Sequence, residues 1–251
     1  MDLNLTGHGV IVTGASKGLG RAAARALAAE GANVLAVART ESSLQDLAAE
    51  DFAGTIRPHV CDMRDREQVG ALASVAVEQL GSLDAVVNNA GIALAANFLE
   101  MDMSLFDETM EVNVASIAVL SQAAGRHFVA EGKGGRIINV VSTSGILGKA
   151  TLAAYSASKG AAIQMTKALA AEWARHDIQV NAIAPGAFAT EAQSYVTGNP
   201  DVLAKRVRKI PARRMAEPEE IGPLVCYLAS PASRFVSGAV YVIDGGETAK
   251  Q

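Results

Sequence analysis

Apolar and polar positions alternate on two scales along this chain. Short segments of four to seven residues, most of them rich in Val, Ile, Leu and Ala, recur at 9–13, 33–38, 55–61, 85–88, 136–141, 179–183 and 239–243. Most are continuous rather than alternating, as expected of parallel strands covered on both faces. Between them lie longer stretches with helical periodicity, around 19–30, 43–50, 65–80, 104–131, 152–175 and 217–229. Punctuation agrees with these limits. Gly31 and Gly81 stand where left-handed helix ends are expected. Pro218 followed by Glu219 and Glu220 suits a first helical turn. The βαβα alternation, with no linker, repeat or composition break, predicts α/β architecture. We expect a single doubly wound, Rossmann-type domain spanning 1–251, with a parallel sheet of about seven strands and helices on both faces.

Composition sharpens this picture only a little. Half of the 251 residues are hydrophobic and only 4% are aromatic, so helices pack on the sheet largely through small side chains. A formal charge of −4 gives no reason to expect a nucleic-acid partner. The longest uncharged run, 85–99, contains three Asn and falls short of the roughly 20 apolar residues of a membrane span, so no membrane association is expected. The start, MDLNLTGHG, lacks the basic and apolar regions of a secretion signal. Cys61 and Cys226 have no CxxC spacing, which suits a reduced, cytoplasmic chain. His8, His59, His127 and His176 are scattered, so no metal is expected.

The first strand runs into Thr13-Gly14-Ala15-Ser16-Lys17-Gly18-Leu19-Gly20, and a helix follows. Glycines there allow a tight turn and close backbone approach. The helix start offers unpaired N–H groups and a positive dipole end, together a seat for a pyrophosphate. The spacing is G-x-x-x-G-x-G rather than G-x-G-x-x-G, and no GK[ST] follows, which excludes a P-loop.

This TGxxxGxG pattern resembles that of the short-chain dehydrogenase/reductase family. So do Asn88-Asn89-Ala90-Gly91 after the fourth strand, Asn113, Ser142 after the fifth strand, Tyr155-x-x-x-Lys159, Pro185-Gly186 after the sixth, and Thr190. The ordered set covers essentially the whole chain. The resemblance implies hydride transfer between a nicotinamide cofactor and a carbonyl or alcohol. It implies catalytic Asn113, Ser142, Tyr155 and Lys159. It also implies cofactor contacts from Gly14, Ser16, Lys17, Gly18, Leu19, Gly20, Arg39, Asp62, Met63, Asn89, Ala90, Gly91, Tyr155, Lys159, Pro185, Gly186, Phe188 and Thr190.

Helical spacing brings Tyr155 and Lys159 to one face. An ammonium beside a phenol favours the phenolate, which is expected to bring the Tyr155 pKa down toward neutrality and fit it for proton transfer. The resemblance makes Ser142 the substrate-orienting hydroxyl; Thr143 and Ser144 are alternatives by chemistry alone. It makes Asn113 the holder of a water near Lys159; alternatively Asn113 bends its helix through backbone hydrogen bonds. Lys159 is expected to bond the nicotinamide ribose.

At the end of the second strand Ala38 stands where an acid would accept from a ribose 2′-hydroxyl, and Arg39 follows. With Lys17 in the phosphate loop, this predicts NADP(H) rather than NAD(H), the cations receiving the 2′-phosphate. Asp62 is implied to take the adenine amino group, and the Met63 backbone to meet the ring; an acid capping the next helix is the other reading of Asp62.

Residues 188–214 are expected to form a substrate lid. They offer Phe188, Tyr195, Val196 and Leu203 as lining, and a basic patch of Lys205, Arg206, Arg208, Lys209, Arg213 and Arg214. The expected function is NADP(H)-dependent interconversion of a ketone and a secondary alcohol. Gluconate dehydrogenases and 3-oxoacyl-carrier-protein reductases have similar patterns, the latter making a 3-oxoacyl thioester an alternative substrate. His176-Asp177 replaces an arginine common in the carrier-protein enzymes. A non-catalytic NADP-binding regulator is a further alternative, disfavoured because Tyr155 and Lys159 are both present. The family pattern implies a homotetramer built on helices 104–131 and 152–175 and on strand 239–243.

Overall fold

A strand whose successive side chains are all apolar needs cover above and below. The computed structural model, which describes residues 2–250, provides it. In chain order the elements begin with strand β1 (Gly9–Thr13), helix α1 (Gly18–Ala29), β2 (Asn33–Ala38), α2 (Glu41–Ala48), β3 (Thr55–Val60), α3 (Arg66–Leu80) and β4 (Ala85–Asn88). There follow α4 (Met103–Met110), α5 (Ser116–Glu131), β5 (Gly135–Val140), α6 (Ser144–Leu147), α7 (Ala153–Trp173) and β6 (Ile178–Pro185). The chain closes with α8 (Ser194–Thr197), α9 (Pro200–Arg208), α10 (Gly222–Ala229) and β7 (Val240–Ile243). All seven strands pair parallel in the order β3-β2-β1-β4-β5-β6-β7.

Alternate strand residues feed the two cores. Val10 and Val12 pack with Leu27 of α1 and Val225 of α10. Ile11 points the other way, into a cluster with Leu72 of α3, Leu120 and Phe128 of α5 and Ala170 of α7. From β1 the chain builds outward through β2 and β3, then returns to lay β4 on the other side of β1. The ends of β1 and β4 therefore diverge into a crevice, the usual ligand site of such sheets.

Seven strands appear where the apolar runs predicted them, three with the same ends and the others shifted by one or two residues. β3 stops at Val60, with Cys61 just beyond donating to the Ala38 carbonyl. This edge strand also tolerates Pro58, which has no N–H to give. Gly31 (φ +88°) and Gly81 (φ +86°) take the expected left-handed conformation. Glu41 lies in the first turn of α2, and Pro218 opens a 3₁₀ turn before α10.

The 104–131 helix is not uniform. Residues Glu111–Ala115 form a π-helical turn between α4 and α5, in which the Ser116 N–H reaches back to the Glu111 carbonyl. One extra residue in the turn redirects the side chains that follow. Within 188–214 the chain forms two short helices, α8 and α9, neither with a buried residue. Among the described residues no helix is long and apolar enough to cross a membrane.

Candidate active site

The β1–α1 loop is shaped by close contacts. Gly14 has φ +68°, and a Cβ there would stand 2.8 Å from Asn89 Nδ2. A Cβ on Gly20 would meet the Gly14 carbonyl oxygen at 2.2 Å. Thr13 and Asn89 hold this turn. Thr13 Oγ1 accepts from the backbone N–H groups of Asn89 (3.0 Å) and Ala90 (3.1 Å). Asn89 Nδ2 donates to the carbonyls of Thr13 (2.9 Å) and Gly14 (3.3 Å). Lys17 occupies the N-cap of α1 with extended backbone, and no side chain caps the helix. The first-turn N–H groups are thus left to a ligand, at the positive end of the dipole.

A cavity of about 840 Å³ runs from this loop along the carboxyl ends of β2, β3, β4, β5 and β6. Of the residues predicted to bind cofactor, Gly14, Ser16, Lys17, Gly18, Leu19, Arg39, Asp62, Met63, Asn89, Ala90, Gly91, Tyr155, Lys159, Pro185, Gly186, Phe188 and Thr190 all line it, as does Ser142. Gly20 and Asn113 lie behind it. Gly20 allows the close packing just described, and Asn113 is fully buried.

Asn113 sits in the π turn and clamps the loop after β4. Its Oδ1 accepts from the Ile92 N–H (2.8 Å), and its Nδ2 donates to the Ile92 carbonyl (2.9 Å) and to Ser158 Oγ (3.0 Å). Its bonds run to that loop and to α7, not to its own helix backbone. A Cβ on Gly91 would stand 3.1 Å from Asn113 Oδ1 and 3.3 Å from Lys159 Nζ. A side chain at this position would crowd both polar atoms.

Tyr155 and Lys159 share a face of α7, with Nζ 5.7 Å from the centre of the phenol ring. The ammonium is aimed at the Val140 carbonyl (2.8 Å). The expected lowering of the Tyr155 pKa is not found. Burial raises it, and the Ser142 hydroxyl is the group that counters by favouring the phenolate. Burial also pushes the Lys159 pKa down to about 8, so it is still an ammonium at neutral pH. Tyr155 is accordingly a neutral phenol at neutral pH, with a proton to give. Ser142 Oγ also accepts from the Ser144 N–H (3.0 Å), which fixes its place at the end of β5.

At the other end, Ala38 leaves room beside Arg39 and Lys17, and neither cation has an ion-pair partner among the described residues. Asp62 does not cap α3; Asp65 does, accepting from the N–H groups of Glu67 (3.0 Å) and Gln68 (3.1 Å). The Asp62 carboxylate is held by Arg64, with contacts of 2.6 and 3.1 Å, and these bonds keep its pKa down to about 2. Arg64 also lines the cavity and pairs with Glu108 at 3.5 Å. Sequence reasoning passed over Arg64; its position two residues after an expected adenine-binding acid was the available signal.

An adenine dinucleotide carrying a 2′-phosphate fits this set. It would find free helix-end N–H groups, two unpaired cations beside a small residue, and a glycine-lined floor next to Lys159. The Cys61 and Cys226 thiols are buried and free, and burial raises their pKa values to about 11 and about 12.

Residues 188–214 depart from expectation. Phe188, Thr190, Glu191, Ala192 and Gln193 line the cavity, whereas Tyr195, Val196 and Leu203 do not; Tyr195 is exposed. The basic patch is partly committed. Arg206 makes a two-pronged pair with Glu247 (2.6 and 2.7 Å), and Arg214 does so with Glu220 (2.6 and 2.7 Å).

Residues 14–248 match a family model described as enoyl-(acyl carrier protein) reductase. The chain is 40% identical over 246 residues to galactitol 2-dehydrogenase (L-tagatose-forming) of Cereibacter sphaeroides, covering 97% of this chain and 96% of that protein. It is 35% identical over 248 residues to 2-dehydro-3-deoxy-D-gluconate 5-dehydrogenase of Escherichia coli (strain K12), covering 98% of each. A crystal structure of a gluconate 5-dehydrogenase from Burkholderia cenocepacia J2315, in complex with NADP and tartrate, superposes with a TM-score of 0.92 at 33% identity, over 100% of this chain and 98% of that one.

Proposed function

This chain belongs to the short-chain dehydrogenase/reductase family and is an oxidoreductase acting on CH–OH groups; from that premise we propose that it interconverts a ketone and a secondary alcohol with NADP(H), Tyr155 being the proton donor and acceptor. The observation that carries this reading is the shared cavity. One continuous space joins the uncapped α1 helix, the free cations Lys17 and Arg39, and the Ser142–Tyr155–Lys159 group. When bound, the nicotinamide supplies or takes the hydride.

The chain's own residues then divide the remaining work. Ser142 holds the substrate oxygen beside the phenol. Tyr155 gives its proton to that oxygen during reduction and takes it back during oxidation. Lys159 bonds the ribose and stabilises the phenolate that reduction leaves. Asn113 Oδ1 and Lys159 Nζ, both in reach of the space beside Gly91, hold the water through which the proton is restored. Lys17 and Arg39 receive the 2′-phosphate, and Asp62, turned by Arg64, borders the adenine. Residues 188–214 close over the cavity as a lid. The two buried free thiols suit a reducing compartment such as the cytoplasm.

A 3-oxoacyl thioester on an acidic carrier is the weaker reading, because Arg206 and Arg214 already have acidic partners within the chain. An NADPH-oxidation screen over polyhydroxy ketones, hydrophobic ketones and 3-oxoacyl thioesters, with NADH run in parallel, tests both cofactor and substrate class. We expect turnover of ketones with NADPH preferred. Turnover confined to thioesters, or a preference for NADH, would overturn the corresponding part.

A further inference from the structure

Residues 89–94, part of the uncharged run 85–99, line the cavity beyond β4. The Ala96 N–H donates to the Thr151 carbonyl (2.9 Å), which lays Ala93 and Leu94 against the start of α7, beside Leu152 and Tyr155. The cations lining the cavity are Lys17, Arg39, Arg64 and Lys159. The first three follow β1, β2 and β3, at the adenosine end. Lys159 is buried with Nζ on the Val140 carbonyl. Lys149, in the turn before α7, lies outside the lining. At the catalytic end, therefore, no guanidinium or ammonium among the described residues faces a substrate carboxylate. Glu191 of the lid lies at the phosphate loop instead, its Oε2 3.6 Å from where a Gly18 Cβ would be.

The lid also supplies a neutral polar group. Gln193 is half-buried and lines the cavity, and its carboxamide has no hydrogen-bond partner among the described residues. It offers two donors and an acceptor to hydroxyl groups.

We propose that the substrate is an uncharged polyhydroxy alcohol or ketose rather than a sugar acid, and that Gln193 reads one of its hydroxyls. The proposal rests on the ketone–alcohol reading above. A carboxylate entering this end would be desolvated without a cationic partner, whereas hydroxyls can be paired by Gln193. The 40% identical galactitol 2-dehydrogenase is named for such a neutral substrate.

The test is steady-state oxidation with NADP⁺ of galactitol, D-sorbitol and xylitol against D-gluconate and D-galactonate, with cyclohexanol as a hydroxyl-poor control. We expect the best alditol to exceed both acids in kcat/KM by about tenfold or more, the scale on which unmatched polar groups discriminate. Leu94→Arg should narrow that ratio about tenfold by giving a carboxylate its partner. Gln193→Leu should lower the alditol-to-cyclohexanol ratio about tenfold, mainly through KM. Preference for a sugar acid or for cyclohexanol would overturn the inference and leave the ketone–alcohol reading standing. An equal loss on alditol and cyclohexanol in Gln193→Leu would overturn the role of Gln193. No turnover of any alcohol, with NADP⁺ bound, would overturn both readings.

Discussion

Burial makes the Lys159 ammonium easier to lose. Burial lowers its pKa from 10.5 to about 8, while Tyr155 stays a phenol because burial raises its pKa. Between those two Lys159 values the unfolded chain holds a proton that the folded chain has released, so this residue's contribution makes stability rise with pH across the window. Activity should move the other way in the reducing direction, where a proton is consumed. We expect kcat/KM for ketone reduction to be level below about pH 8 and to fall above it as the ammonium is lost. The pH profile of reduction, measured at saturating NADPH, checks this; a flat profile to pH 10 would remove Lys159 from the proton path. The pairing of Tyr155 with Lys159 was legible from their spacing. The direction of the Tyr155 shift was not, because it depends on burial beneath distant parts of the chain.

At the scale of elements, what could be read followed local chemistry. Val and Ile runs such as Val10–Val12 or Ile137–Ile138 are buried whichever way they face, so their strands were plain in the sequence. The phosphate loop was legible because its glycines are required by contacts within a few residues of themselves and by Asn89. The π turn at Glu111–Ala115 was not. It is set by Asn113 reaching a loop twenty-one residues away to bond both polar groups of Ile92. α8 and α9 are short and have no fully buried residue, so the helical pattern is brief there and its apolar side only partly covered. Asn113→Ala strips Ile92 of both partners. We expect it to cost about 2 kcal/mol, the usual penalty for orphaned buried groups. It should also lower kcat, since the clamped loop walls the catalytic end. Chemical denaturation beside steady-state kinetics checks this, and wild-type stability would show that the clamp is idle.

For the molecule as a whole, β7 is an open sheet edge, with Val242 partly exposed and Phe235 fully exposed nearby. Edges of this kind invite pairing with another chain. We propose that they pair in a homotetramer, together with the small-residue faces of α5 and α7. Sedimentation should give four times the chain mass, and Val242→Lys should shift it to a smaller species; a monomer for the unaltered protein would refute the assembly. We propose that each subunit couples hydride transfer to a proton carried by Tyr155. Tyr155→Phe removes one oxygen and leaves the ring. Its NADPH oxidation rate with a turned-over ketone, measured beside NADPH binding by fluorescence titration, is the most direct test. The account predicts at least about a hundredfold loss in kcat, the usual contribution of general acid catalysis, with NADPH affinity retained. Turnover near the wild-type rate, with cofactor bound as tightly, would contradict it.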